Sequence, residues 1–423
     1  MIKKMKKILF ILIFGLILTS QLFAIIIRGV TIEKPIDIMD EKNIHHYHAI
    51  PTTLYVGGTG PNNFSTIQQA IDNATDGDTV FVYHDSSPYL EYLMITKEID
   101  LIGENKLDTI INGARSEAVI TIDAKYVTIS EFTIQKNSTD KRVTYGISLD
   151  SGYSIIHDTI ILDMDYGIVG GGYQCQIINN QFLNCGLYPG LSYFRTIENN
   201  TVNNKPLVYL HGENSKIIDN AGQVIIEDCH NIFIQNLSIS EVNFGIYLYE
   251  SSLCKIRNNE LINSSIIIEK SNECVIRNNQ ISIEKKKNSE MNKRCISLFR
   301  SDINSLYGNS LTSKYGAGLY VYASNANVIT RNLFINNFEG VFLDGSYGSR
   351  ITSNNFEQNC IHGHFLDCCM IKWKGNYWNR MRLLPKIIIG RKTLVPAGYM
   401  NPAVYIPWFN CDLSPSKLPN IIL

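Results

Sequence analysis

The stretch "CKIRNNEL", residues 254–261, returns almost unchanged as "CVIRNNQI", residues 274–281. Aligned on the second asparagine, the same phrase reads "CQIINNQF" at Asn180, "RTIENNTV" at Asn200, "NSLYGNSL" at Asn309, "NVITRNLF" at Asn332, "SRITSNNF" at Asn354 and "IKWKGNYW" at Asn376. Most steps are 20 to 23 residues. The longer step from Asn279 to Asn309 holds "EKKKNSEMNKR", a charged insertion expected to loop out of the repeat. Self-similarity at this period marks a stacked repeat architecture.

A second phrase precedes the first in each unit: "GISLD" (146–150), "GIYLY" (245–249), "GLYVY" (318–322), "GVFLD" (340–344) and "GHFLD" (363–367). Both phrases alternate apolar residues with others, which is strand periodicity. Three short strands and three turns in about 22 residues, at roughly 3.3 Å per strand residue, make one coil of a parallel β-solenoid. A leucine-rich horseshoe has a similar period, but its leucine spacing and helical segments are missing. Asparagine tolerates the left-handed conformation that a tight bend requires, and its amide can hydrogen-bond to the asparagine of the next coil, giving a ladder. The same stacking sets Cys254 over Cys274, both inward beside Ile256 and Ile276.

The ends differ from the repeat, as the exposed ends of a stack require. Residues 54–98 form an N-terminal cap, with a helix starting at Ser65 or Thr66 and ending near Ala74; Ser65 is the expected N-cap, and Ile67, Ala70, Ile71 and Ala74 are the apolar face. Repeats occupy residues 99–378, and residues 379–423 form a C-terminal cap and tail in which Trp378, Trp408 and Phe409 could cover the last coil. At the start, four lysines precede an apolar run from Ile8 to Leu18, so residues 1–24 read as a signal peptide cleaved after Ala24 or as an uncleaved anchor, followed by a linker over 25–53.

The chain of 423 residues is 45% hydrophobic and 18% charged, with formal net charge -1, which gives no global pull toward nucleic acid or anionic lipid. Membrane contact is expected only through the N-terminal segment if it stays uncleaved, and the chain reads as a monomer. Ten cysteines lack the density of a disulfide scaffold and contain no C-x-x-C pair, so mostly buried thiols are expected.

The "STIQQAIDNATDGDTVFV" start, the "GI.L......I..N" repeat and the terminal "GNYW" resemble exported pectate-lyase-like β-helix proteins of the NosD-like group, over about residues 54–412. The resemblance implies an all-β fold: a single-stranded right-handed parallel β-helix, a three-sheet solenoid of about twelve coils with an N-terminal helical cap. It implies a carbohydrate-related role and a secreted, cell-surface or periplasmic location. The group takes its name from a periplasmic copper-site maturation factor, but the repeat motif transfers no ligands. Fold does not fix function.

The resemblance implies that function would sit on the outer face of the first sheet, built by "GIYLY" and its kin, because related polysaccharide lyases and hydrolases carry their substrate cleft there. With Ile246 and Leu248 inward, one outward row is Ser148, Val169, Tyr209, Tyr247, Ile267, Ser297, Tyr320, Phe342 and Phe365. The adjoining row is Asp150, Gly171, His211, Tyr249, Glu269, Phe299, Tyr322, Asp344 and Asp367. Rings in file suit a polysaccharide or cell-surface glycan, because pyranose C–H faces pack on flat apolar surfaces; Tyr209, Tyr247, Tyr249, Tyr320, Tyr322 and Phe342 are the candidates. Aromatic residues also favour strands for packing alone.

Asp344 and Asp367 fall in successive coils, about 4.8 Å apart at the backbone. A retaining glycosidase pair, with carboxyl groups about 5 to 5.5 Å apart, or a calcium site would fit, as would two ordinary turn aspartates. Neither a pectate-lyase calcium cluster with its arginine nor the acidic signatures of polygalacturonases or pectin methylesterases occurs. In "CIHGHFLDCCM" (360–370), His362 and Cys368 are candidate copper ligands, although His364 aligns with inward Val341 and the set need not converge. "HHYH" (His45, His46, His48) could hold a metal weakly. No cofactor is specified. The leading reading is a non-catalytic glycan-binding surface protein, followed by a glycoside hydrolase or polysaccharide lyase, then a copper-handling accessory protein.

Overall fold

A computed structural model describes residues 51–113, 117–136, 143–170, 173–188, 190, 196–285, 293–395 and 403–422. The chain divides into two compact units, Met1–His48 and Ala49–Leu423. The signal or anchor segment, most of the linker with its histidine tract, and Gly171 lie outside the described residues.

The second unit is a right-handed parallel β-helix. One coil shows the plan: Phe244–Tyr249 belongs to the first sheet, Lys255–Arg257 to the second and Glu260–Ile262 to the third. The next coil repeats it with Ser265–Glu269, Val275–Arg277 and Gln280–Ile283. Parallel register places Ile246 on Ile266, Ile256 on Ile276 and Leu261 on Ile281, so each coil lays branched apolar groups on those of the one before. Among the described residues twelve coils carry all three strands, and one more, with Lys205–His211 and Ile217–Ile218, carries two.

That incomplete coil marks a seam. Asn203 and Asn204 both take left-handed φ, 48° and 63°, and turn the chain so that Lys205 pairs antiparallel with Val202. Lys205–His211 then pairs parallel with Gln223–Glu227. The buried Gln223 side chain acts as a peptide unit across the seam: its Oε1 accepts from Leu187 N (3.0 Å), and its Nε2 donates to Leu187 O (2.8 Å) and Phe244 O (2.9 Å). A buried amide placed this way meets the hydrogen-bonding demand that the interrupted sheet would leave open.

The two asparagines of the repeat divide the work. The first, as at Asn179, Asn199, Asn258 and Asn278, takes the left-handed corner with φ between 54° and 58°. The second is buried and forms the ladder. Asn259 N and Nδ2 donate to Asn279 Oδ1 at 3.0 and 2.9 Å, and Asn279, Asn309, Asn332 and Asn354 repeat the contact onto the next rung. Each Nδ2 also donates backward, as from Asn279 to Ile256 O at 3.0 Å.

A second ladder, not anticipated from the repeat, runs through serines. Ser251, Ser271, Ser301, Ser324 and Ser346 each accept, through Oγ, the N–H of the rung before. Cys254 and Cys274 are fully buried free thiols, as the stacking implied.

Toward the C-terminus the third-sheet core residues enlarge from Leu311 to Phe334, Phe356 and Trp378, the last three with rings stacked at 5.0 and 4.5 Å. Near the other end, helix Ile67–Asn73 buries Ile67, Ala70 and Ile71 in the same continuous core. Its N-cap is Thr66 rather than Ser65, with Oγ1 accepting from Gln69 N, and Glu91 accepts the N–H groups of Ile67 and Gln68 at 2.9 Å each.

The chain closes with an antiparallel hairpin of Lys386–Val395 and Val404–Asp412. Its first strand extends the first sheet through Phe365–Gly390, and its second reaches the second sheet through Trp373–Asp412. Trp378 is buried, but Trp408 and Phe409 are exposed, contrary to the expectation that they cover the last coil. The last rung is covered by Asp412 instead. Its buried carboxylate accepts from Asn376 N and Nδ2 (2.9 and 3.1 Å), Trp378 Nε1 (3.2 Å), and Gly375 N and Ser414 N.

Candidate functional site

The first-sheet register holds as expected from Tyr247 through Ile267, Ser297 and Tyr320 to Phe342. Each tyrosine in this file that heads a phrase donates to an acid of the following coil: Tyr209 to Glu227 Oε2 (2.8 Å), Tyr247 to Glu269 Oε2 (3.0 Å) and Tyr320 to Asp344 Oδ2 (3.2 Å). The centre of the file is closed. Tyr247 is 2% exposed and packs among Tyr188, Phe244 and Tyr249, and burial pushes its phenol strongly upward. Tyr320 is 7% exposed, with the Arg294 guanidinium 3.6 Å from its ring centre, and burial with the Asp344 charge raises it to about 12. These two rings are therefore not an open sugar platform. Tyr209, Tyr249 and Phe342 are half-buried and Tyr322 is exposed; Tyr249 accepts from Lys270 Nζ at 2.5 Å.

After Phe342 the structure departs from the expected rows by one residue. Phe342 pairs with His364, Leu343 with Phe365 and Asp344 with Leu366. Phe365 therefore points inward and is buried, lying so close to Gly390 that no Cβ fits there. His364 points outward, not inward with Val341, and its ring stacks on Phe342 at 4.1 Å and 18°.

Asp367 is not the neighbour of Asp344 in the outward row. With φ 50° it is the corner residue equivalent to Gly345 (57°) and Ala323 (45°), and both of its oxygens bind Thr393, from N and from Oγ1, at 2.5 Å each. Asp344 is raised by burial and then by the Asp367 charge, against the lowering effect of Tyr320. The two carboxylates share a field, and each already holds a hydrogen bond within the fold.

The metal candidates also separate. Cys368 is the last rung of the serine ladder: it is buried, Sγ accepts from Ser346 N (3.3 Å) and donates to Leu366 O (3.1 Å), and burial pushes its thiol to about 12. His362 sits beside Phe356 and Trp378, with ring centres at 6.4 and 6.2 Å. Among the described residues, no group of three or more His, Cys, Asp or Glu side chains is arranged to hold a metal ion.

The slip builds a cleft of about 650 Å³ between the last first-sheet strands and the hairpin. Glu339, Phe342, His362, His364, Lys386, Ile387, Ile389, Arg391 and Tyr405 line it. Such a volume accommodates a small ligand or one or two sugar rings. The stacked Phe342–His364 pair offers a flat surface, Ile389 and Tyr405 are apolar and exposed, and Glu339, Lys386 and Arg391 supply charge. His364 Nδ1 is buried without a partner, and its Nε2 lies 3.7 Å from Glu339 Oε1. Burial and the Arg391 charge hold His364 down at about 4; burial with Lys386 and Arg382 does the same for His362. Both rings are neutral at pH 7. Lys386 is itself lowered by burial and by the nearby Arg382 and Arg380 charges.

Sequence reasoning missed Glu339, Lys386, Ile389, Arg391 and Tyr405. The β-branched run in "KIIIGR" (386–391) is compatible with a strand, but nothing in it signals pairing with residues 361–366.

These features define a right-handed parallel β-helix repeat protein with a cleft at its C-terminal end. Over residues 189–383 it is NosD-like: the matching family is described as "Periplasmic copper-binding protein (NosD)". Among the described residues, no three His, Cys, Asp or Glu side chains are grouped where they could hold such an ion. No curated protein matches the sequence. Among solved structures, the chain is similar to a lacto-N-biosidase from Eubacterium ramulus, with 9% identity, TM-score 0.31, and 69% of this chain and 64% of that one covered. It is similar to tailspike protein 3 of bacteriophage CBA120, with 10% identity, TM-score 0.34, and 77% and 57% covered. A pectin methylesterase from Erwinia chrysanthemi gives 12% identity, TM-score 0.29, and 60% and 90% covered. The chain thus spans less than two thirds of the lacto-N-biosidase and of the tailspike.

Proposed function

We propose that this chain is an exported β-helix surface protein that binds a glycan in the cleft between the last strands of the first sheet and the C-terminal hairpin. The observation that carries the reading is the stacked Phe342–His364 pair, outward-facing and set in a half-apolar cleft rimmed by Glu339, Lys386 and Arg391. A pyranose presents an apolar C–H face to such a surface while its hydroxyls reach the charged rim. The N-terminal lysines and apolar run, together with the periplasmic description of the matching family, support export.

The reading is one of binding, not bond cleavage, because Asp344 and Asp367 are engaged by Tyr320 and Thr393. Glycan-array screening followed by calorimetric titration of the strongest glycan tests it. Phe342→Ala is expected to weaken binding at least about tenfold. Absence of any glycan ligand, or binding indifferent to Phe342→Ala and Tyr405→Ala, overturns it.

A further inference from the structure

The C-terminal segment differs from the rest of the chain in charge and exposure together. From Lys372 to Leu423 there are eight lysines and arginines and one acid, a net charge of +7 in a chain whose formal net charge is -1. The single acid, Asp412, is fully buried as the terminus of the asparagine ladder and gives the surface no compensation. Arg380, Arg382, Lys386, Arg391 and Lys392 form no ion pair among the described residues, and the buried Nε of Arg382 has no partner. Lys386 is disfavoured as a cation by burial and then by the neighbouring Arg382 and Arg380. An anion from outside would relieve such crowding.

The same segment exposes large apolar side chains. Leu383 and Leu384 are each 77% exposed, Phe409 62% and Trp408 45%, and Leu394 and Leu413 are also exposed. None of these six lines the cleft. Leu394, Trp408 and Phe409 lie on one two-stranded ribbon, held in register by Lys386–Asp412, Ile389–Phe409, Gly390–Trp408 and Thr393–Tyr405, and Leu383, Leu384 and Leu413 flank its base. Toward its far end the ribbon is exposed on both faces, with Arg391, Lys392 and Leu394 on one strand and Tyr405, Pro407 and Phe409 on the other. A monomer rarely shows apolar surface in this density without a partner for it.

We propose that this ribbon docks on the interface of an anionic lipid bilayer, with Trp408, Phe409 and the leucines entering the headgroup region and the arginines and lysines meeting lipid phosphates. The pairing of components selects a bilayer over an acidic protein. Apolar side chains spread along a protruding ribbon, instead of being gathered around a pocket, suit a fluid apolar layer. Trp and Tyr carry the amphipathic rings favoured at headgroup depth, and Lys392 lies 5.3 Å from the Trp408 ring centre, putting cation and ring at one level. Unpaired basic residues beside them gain from a negative surface potential. Lys386 and Arg391 border both this surface and the glycan cleft, but Trp408, Phe409 and the exposed leucines lie outside the cleft, so the proposal does not depend on the function proposed above.

The test uses the full chain and vesicles of phosphatidylcholine, with or without about one third phosphatidylglycerol. Trp408 is the reporter, since Trp373 and Trp378 are buried. Anionic vesicles are expected to shift its emission to the blue and to expose it to quenching by brominated acyl chains; Trp408→Phe abolishes both signals. Arg391→Gln with Lys392→Gln is expected to weaken partitioning by roughly 25-fold, about fivefold per charge. Phe409→Ser is expected to weaken it roughly tenfold. These positions are exposed, and an unchanged melting temperature confirms that the variants fold.

Four results overturn the proposal. One is no response at Trp408 to anionic vesicles, including the case in which an acidic protein or soluble polyanion binds instead. Another is vesicle flotation with Trp408 unmoved, which assigns membrane contact to the apolar segment near residues 8–27. The third is Trp408 already shielded from iodide before vesicles are added, which assigns the face to a second copy or to that same segment. Equal partitioning onto neutral vesicles overturns the charge requirement.

Discussion

The middle of the stack, residues 244–313, and its last coils, residues 339–378 with the hairpin, use the same three-strand plan to opposite ends. In the middle, repetition satisfies nearly every buried polar group: an asparagine or serine in one coil meets its copy in the next. At the end there is no next copy. The asparagine ladder stops on Asp412 and the serine ladder on Cys368. Of the five buried side-chain polar atoms without a partner among the described residues, three belong to His364, Trp373 and Arg382. Where the repeat stops supplying partners, side chains are left available for a ligand, and the cleft is found there.

The largest expected effect strikes the repetition itself. Asn309 accepts from Asn279 N and Nδ2 and donates to Ile276 O and Asn332. Asn309→Ala leaves several of these groups buried and unpaired, and should cost about 4 kcal/mol in denaturant unfolding. At the end, Asp412→Ala removes five accepted bonds next to solvent-exposed chain, where water can partly replace them; about 3 kcal/mol is expected. If the terminal variant cost nothing, Asp412 would not be closing the ladder.

Acid should separate the two regions next. His362 and His364 have folded-state pKa values of about 4, below their ordinary 6.5, so between these limits the unfolded chain binds more protons than the folded one. Their contribution is complete above about pH 6.5 and is lost as pH falls toward 4. Asp344, raised above its usual value, works in the opposite direction at the acid edge of that window. Hydrogen exchange at pH 7 and pH 5 should show residues 361–391 losing protection while residues 255–283 keep theirs. Replacing both histidines with glutamine should flatten the difference.

A smaller effect is expected at the hairpin hinge. Asp367→Ala frees Thr393 N and Oγ1, and should cost about 1 kcal/mol, read as faster exchange at Thr393 with the interior unchanged. A large global loss instead would mean that the hairpin and the interior unfold as one unit.

The sequence made the interior legible because stacking forces the same residue type to recur at the same place. Cys254 over Cys274 and the row from Tyr247 to Phe342 follow from the period alone. The end was less legible for a definite reason. The corner after each first-sheet strand is occupied by Lys270, Arg300, Ala323, Gly345 and Asp367, all with φ between 45° and 57°. A position that accepts such different residues has no type signature, so matching Asp367 to Asp344 by chemistry displaced the register by one.

Burial of the tyrosines was hidden differently. Phe244 and Tyr188 cover Tyr247, and Arg294 covers Tyr320, from positions that alternation alone does not bring together. The hairpin's return to residues 361–366 is a non-local pairing with no repeat to announce it. It is this pairing that brings Lys386, Ile389 and Arg391 to His364.

The most direct test of where function lies is a calorimetric titration of one array-selected glycan into the wild type, Phe342→Ala and Tyr247→Phe. Binding at the end of the stack predicts that Phe342→Ala weakens affinity at least about tenfold while Tyr247→Phe stays within about twofold. Loss of affinity in Tyr247→Phe, with Phe342→Ala unaffected, would place the ligand on the middle of the first sheet and contradict the account.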